Sequence, residues 1–213
     1  MTGLLTQILP ATAVTAETYT DPPALTLFPA EVEVIARSVE KRRREFTTVR
    51  HCARTALGRL GIPAAPILPG ERGAPGWPSG VVGSMTHCAR FRGAAVAHAT
   101  DLRSIGLDAE PAEPLPDGVL DAIALPEEHD TVGRFAGDVP ADRLLFSAKE
   151  TVYKAWFPLT RRFLEFHEAR IHLVPDGTFT ATLLAAPPLP LPVFHGRWLH
   201  SEGLVITAIT VPA

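Results

Sequence analysis

Two cysteines in 213 residues, Cys52 and Cys88, are too few for a disulfide framework and lack the close pairing of a zinc knuckle. They read as buried thiols in a reducing compartment, the cytoplasm. Charge of one sign is also lacking. The 20 Lys and Arg against 23 Asp and Glu leave a formal net charge of -3, without the basic excess that drives non-specific binding to nucleic acid. No apolar run approaches the roughly 20 residues that span a bilayer. The nearest imitation of a targeting segment, Leu4, Leu5, Ile8 and Leu9, has no basic residue before it and is interrupted by Gln7 and Pro10, so no signal peptide is expected. Neither nucleic acid nor membrane is an expected partner.

What is present is an ordinary globular balance, 46% hydrophobic and 20% charged, with 21 prolines and 16 glycines that imply many short connections. Helical periodicity from Pro29 to Leu60, broken near Ser38, places Phe46, Val49, Ala53, Ala56, Leu57 and Leu60 on one face, and Gly61 and Pro63 end it. After a proline-rich loop to Pro78, the segments Val81–Ser84, Gly93–Ala99 and Ser104–Ala109 read as strands. Pro111 to Pro116 reads as a linker. Short helices are expected over Val119–Leu125 and Pro126–Gly133, and a long one over Pro140–Phe157, ended by Pro158. Two hairpins follow, turning at Pro175-Asp176-Gly177 and Ser201-Glu202-Gly203. Each half is thus a long helix followed by strands, an α+β chain divided into 1–110 and 111–213 and suggestive of an internal duplication.

Four constellations carry chemistry. In Ile105-Gly106-Leu107-Asp108-Ala109-Glu110, two carboxylates share one face of a strand that otherwise reads as buried. Such a pair is costly without a cation, and its oxygens could supply part of a magnesium set; the plainer reading is two surface acids at a strand end. In Phe146-Ser147-Ala148-Lys149-Glu150-Thr151-Val152-Tyr153-Lys154, Glu150 and Lys154 fall opposite the buried stripe, available to a ligand or to each other as an i,i+4 pair. Gly83-Ser84-Met85-Thr86-His87 reads as a strand ending in a turn whose backbone N–H groups, with the imidazole, could hold a phosphate. In the run Lys41-Arg42-Arg43-Arg44, Arg42 falls on the apolar side of its helix, where it either snorkels or reaches a phosphate between the halves, while Arg43 and Arg44 read as solvated.

Taken in order and separation, GSMTH, IGLDAE and FSAKETVYK resemble the three signature regions of the phosphopantetheinyl transferases, and the likeness extends from KRRREFTTVR through WPSGVVGSMTHC to KETVYKAWFPL. It is similar to the bacterial branch serving siderophore, polyketide and peptide synthases. The resemblance implies a pseudo-twofold, monomeric α+β protein with coenzyme A and a metal, Mg2+ or Mn2+, bound between the halves. It implies transfer of the phosphopantetheine arm to a serine of apo acyl or peptidyl carrier proteins, releasing adenosine 3',5'-bisphosphate. Asp108, Glu110 and Glu150 then match the metal positions, and Asp108 also contacts coenzyme A. Glu150 takes the serine proton, Lys154 faces the pyrophosphate, and Lys149 is a second catalytic, coenzyme-binding lysine. Ser84, Met85, Thr86 and His87 hold the nucleotide end, above all its 3'-phosphate, with Arg42 and Arg50. Two departures stand out: Phe146 where many relatives carry tryptophan, and Pro69 where close relatives carry lysine, with Arg72 three residues on as a substitute. The competing readings are a coenzyme-A-binding module without catalysis and a structural α+β protein.

Overall fold

Helical periodicity between Pro29 and Leu60 resolves into two helices, because the chain breaks beside Ser38. The computed structural model describes residues 3–135, 139–184 and 192–213. In chain order the first half comprises α1 (Leu5–Ile8), β1 (Val14–Thr18), α2 (Pro29–Ile35), α3 (Glu40–Arg59), β2 (Val81–Cys88) and β3 (Phe91–His98). Then come β4 (Leu102–Pro111), α4 (Val119–Ile123), α5 (Pro126–Arg134) and α6 (Ala141–Thr160). Two hairpins close the chain: β5 (Ala169–Val174) with β6 (Thr178–Leu183), and β7 (Val193–Ser201) with β8 (Leu204–Pro212). The second turn needs only Glu202 and Gly203, both at positive φ (53° and 73°), the twist that suits a two-residue hairpin loop. Among the described residues no helix is long and apolar enough to cross a membrane.

The strands form two antiparallel sheets, ordered β1-β3-β2 and β4-β8-β7-β6-β5, each covered by one long helix. On α3, Cys52, Ala53, Ala56 and Leu57 pack on Ala94 and Val96 of β3. On α6, Leu144, Leu145, Ala148 and Val152 pack on Ile171, Phe179, Phe194 and Ile209. A third cluster joins the halves: Leu5 and Ile8 of α1 meet Phe91 and Ala95 of β3, Leu107 of β4 and Ile206 of β8. The apolar run near the start of the sequence is therefore a packing element. Its helix is anchored by Glu17 of β1, whose carboxylate accepts from Leu4 N at 2.6 Å and Leu5 N at 2.9 Å.

Two expectations need correction. The GSMTH segment is strand interior, with β2 continuing to Cys88 and every residue from Val81 paired to β3, so there is no turn to expose N–H groups. Pro158 does not end α6; it sits in the last turn, and the helix stops at Thr160 before Arg161 at φ 56°. A proline that late forfeits little of the hydrogen-bond ladder. Pairing changes sheets between His98 and Leu102, since β4 follows β3 in sequence but pairs with β8, Asp108 opposite Thr207. A boundary at 110/111 falls at the end of β4, after that change.

The two faces of β4 explain how the carboxylates reach α6. Leu107 and Ala109 point into the cluster between the halves, so Ser104, Gly106, Asp108 and Glu110 point to α6. Gly106 permits the close approach, because a Cβ there would lie 2.2 Å from the Thr151 carbonyl oxygen and 3.0 Å from Ala155. Ser104 Oγ completes the contact by donating to the Ala155 carbonyl at 2.8 Å. Gly106→Ala must push α6 off β4. We expect a loss of about 3 kcal/mol in stability by denaturant titration, and turnover lowered by about 100-fold as the groups on the two elements fall out of register.

Candidate active site

An open cleft of about 770 Å³ runs between the halves, walled by α3 and β2 on one side and by α6 on the other. Asp108, 4% exposed, lies beside Lys154, which lines the cleft. Lys154 Nζ donates to Asp108 Oδ1 at 2.7 Å and to the Leu107 carbonyl at 3.1 Å, while Ser147 Oγ donates to Asp108 Oδ2 at 2.9 Å. Beneath them Ser147, Thr151 and Thr207 form a buried hydroxyl cluster, with Ser147 Oγ 2.8 Å and Thr151 Oγ1 2.7 Å from Thr207 Oγ1. These hydroxyls satisfy one another and fix the Asp108 rotamer from below.

Glu110, next on the same face, meets Arg143 Nη1 at 3.1 Å, and Arg143 also donates to the carbonyls of Glu113 and Pro114. Burial and the neighbouring Asp108 carboxylate push Glu110 up to about 7. Burial likewise raises Glu150, with Lys154 one helical turn on pulling it back and Asp108 adding to the rise. Asp108 thus opposes the ionisation of Glu110 and of Glu150, and the three carboxylates are the oxygen-only donor set a hard divalent cation requires; in that respect they fit magnesium. Among the described residues no three acidic, His or Cys side chains converge tightly enough to make a ready cluster. Lys154 and Arg143 hold two of the three apart.

In the same cleft, Arg42 Nη1 lies 2.7 Å from His87 Nε2. Arg50 is buried in the α3 wall, its Nε donating to the Ile67 carbonyl at 2.9 Å and its guanidinium 3.2 Å over the Phe46 ring; burial lowers it to about 10, so it stays cationic at neutral pH. Arg72, at φ 52°, stacks 4.9 Å over Phe163 at the cleft rim. The adjoining Pro69 also lines the cleft.

The residues grouped from sequence therefore separate. Asp108, Glu150 and Lys154 come together, with Glu110 beside them, and Arg42, Arg50, Met85 and His87 line the same cleft. Ser84 also lines the cleft, but its Oγ accepts from Leu107 N at 3.1 Å; Thr86 Oγ1 accepts from Ala109 N at 3.0 Å and donates to Asp108 Oδ1 at 3.4 Å. Both hydroxyls are spent joining β2 to β4, where they replace the missing ladder between the two sheets. Lys149 departs furthest from expectation. It is 2% exposed, ion-paired with Glu128 at 2.9 Å, and bonded to the Phe166 and Ala169 carbonyls at 2.8 Å each. The buried stripe of α6 is wide enough to include it, and its charge is answered inside the fold.

Sequence reasoning also missed participants. Arg143 and Thr207 carry no motif of their own, Ser147 lies in FSAKETVYK without a role assigned to it, and Glu45 was visible only as an acid one turn after Arg42. A second, mostly apolar cavity of about 530 Å³ meets the cleft at Glu150 and Tyr153, with Phe163, Leu164 and Phe166 on its far wall.

Two family models cover most of the chain: the 4'-phosphopantetheinyl transferase N-terminal domain matches residues 30–97, and the 4'-phosphopantetheinyl transferase superfamily matches residues 104–208. They meet where pairing changes sheets. The chain is 56% identical to the 4'-phosphopantetheinyl transferase Svp of Streptomyces mobaraensis, over 99% of this chain and 90% of that one. It is 50% identical to the 4'-phosphopantetheinyl transferase PptT of Mycobacterium tuberculosis, over 98% of each. Enterobactin synthase component D of Salmonella typhimurium is more distant, 32% identical over 80% of this chain and 72% of its own length. Two family models in tandem on a two-half α+β fold, with full-length relatives at this identity, show that the chain belongs to the 4'-phosphopantetheinyl transferase superfamily and is a holo-carrier-protein synthase.

Proposed function

We propose that the cleft between the halves takes coenzyme A with its nucleotide phosphates toward Arg42, Arg50 and His87 and its pyrophosphate toward Lys154. The observation that carries this reading is the placement of two kinds of group along one cleft. Cations from the first half, Arg42 and Arg50, line the cleft together with Lys154 and Glu150 of α6, and Lys154 is paired with Asp108. A molecule with a phosphorylated nucleotide and a pyrophosphate spans such an arrangement. Asp108, Glu110 and Glu150 would hold magnesium or manganese, which when bound would neutralise charge on the pyrophosphate as its bridging bond breaks.

The serine hydroxyl of an apo carrier protein attacks the phosphorus that bears the pantetheine arm. The new serine O–P bond forms as the P–O bond to the nucleotide's phosphate breaks, and adenosine 3',5'-bisphosphate leaves. Glu150 accepts the serine proton, and Lys154, a donor already fixed at the base of the cleft, stabilises the departing phosphate. The apolar cavity beyond Glu150 and Tyr153 suits the arm, which has little charge to satisfy.

The test is mass spectrometry of apo carriers incubated with the protein, coenzyme A and magnesium. A fatty-acid, a polyketide and a peptide-synthase carrier should be compared, with a gain of one phosphopantetheine arm expected on the polyketide or peptide-synthase carrier. No gain on any of the three would sink the reading.

A further inference from the structure

His87 has a charged neighbour at each ring nitrogen. Arg42 Nη1 stands 2.7 Å from Nε2, and Glu45 Oε2 stands 3.7 Å from Nδ1. A guanidinium only donates, so Nε2 must be the acceptor, which leaves the single proton of a neutral imidazole on Nδ1, facing Glu45. Glu45 is 8% exposed and is itself fixed from behind. Its Oε1 lies 3.8 Å from Arg92 Nη2, and Arg92 is clamped by Asp21 through bonds of 3.1 and 2.9 Å. The string Asp21, Arg92, Glu45, His87 and Arg42 runs through the first half to the cleft.

This tautomer cannot donate to a phosphate. A phosphate dianion offers only acceptors, and the His87 nitrogen turned to the cleft is an acceptor too. Moving the single proton to Nε2 would place the Nδ1 lone pair against the Glu45 carboxylate, which the charge disfavours. The arrangement that satisfies both sides is the imidazolium, with Nδ1–H toward Glu45 and Nε2–H toward phosphate. Burial first makes that state costly until an anion arrives; Glu45 on α3 favours it, and Arg42 on α3, Arg92 on β3 and Lys154 on α6 oppose it. An entering phosphate turns the balance, because it also engages Arg42 and frees Nε2.

We infer that Glu45 is a positioning residue that sets the His87 tautomer, and that binding the coenzyme's phosphate at this end of the cleft takes up one proton onto His87. This rests on the coenzyme-A reading above. Calorimetric titration of the full chain at pH 8, in buffers of different ionisation enthalpy, separates the two, since a phosphate monoester is already a dianion there. The uptake with coenzyme A should exceed that with dephospho-coenzyme A by close to one proton, the shared pyrophosphate and any metal cancelling between them. His87→Asn should abolish the difference. Glu45→Gln should reduce it and weaken coenzyme-A binding about tenfold, a change of about one pKa unit in the imidazole, with partial recovery in Glu45→Asp. The free protein should show the Nδ1–H tautomer of His87 in its ring 15N shifts, a readout that needs no variant. Equal uptake for the two ligands, or a Glu45→Gln protein indistinguishable from the parent, would overturn this inference alone. A protein that binds no coenzyme A would overturn both readings.

Discussion

Glu150→Gln should lower carrier modification by about 1,000-fold or more, the upper range for loss of a positioned base, while coenzyme-A affinity changes by less than tenfold. The substitution keeps size and helix propensity but removes the one carboxylate of the three that is not tied to a neighbouring element. Asp108 gives its oxygens to Lys154 and Ser147, and Glu110 gives one to Arg143. Glu150 instead has Lys154, four residues on along α6, as its cationic neighbour, and it borders both the polar cleft and the apolar cavity. A hydroxyl reaching the bond between arm and nucleotide from the carrier side must pass this boundary. Single-turnover mass spectrometry measures the rate and calorimetry the binding. A variant that retains more than a tenth of the rate would move the proton acceptor elsewhere.

How much of this was legible from sequence depended on whether the deciding contact was local. Alternation along β4 put Asp108 and Glu110 on one face, and the helical period of α6 turned Glu150 and Lys154 from the core; both follow from backbone geometry alone. β1 escaped detection because Val-Thr-Ala-Glu-Thr has no strong pattern and becomes a strand only by pairing with β3, Val14 opposite Val96. The placement of β4 in the second sheet was equally invisible, since its partner β8 lies about a hundred residues later. Ser84 and Thr86 were misread for a related reason. Small hydroxyl residues before a histidine look like a turn, but the β4 backbone N–H groups that claim them arrive from another part of the chain. His87 was identified by type, whereas its tautomer required Arg42 and Glu45 in place.

Lys149 shows the same limit at higher cost, and its removal should mark it as structural. Its Nζ meets Glu128, and Glu128 in turn accepts from Leu125 N at 2.7 Å and Ile171 N at 2.6 Å. The pair thus ties the start of α5, the middle of α6, the Phe166 turn and β5 at one buried point. Burial presses Lys149 toward its neutral form, and Glu128 works against that by hydrogen bond and by charge. Lys149→Met keeps the length of the side chain but strands the Glu128 carboxylate, and breaking a buried pair from one side costs about 3–5 kcal/mol. Lys149→Met with Glu128→Gln removes the stranded charge, so the double variant should be more stable than the single one by about 1–3 kcal/mol. Carrier modification should recover in step, because the double variant again seats the segment behind the apolar cavity. A lysine acting on the pyrophosphate gives the opposite result. The double variant would then fold and stay inactive, and the single one would melt like the parent.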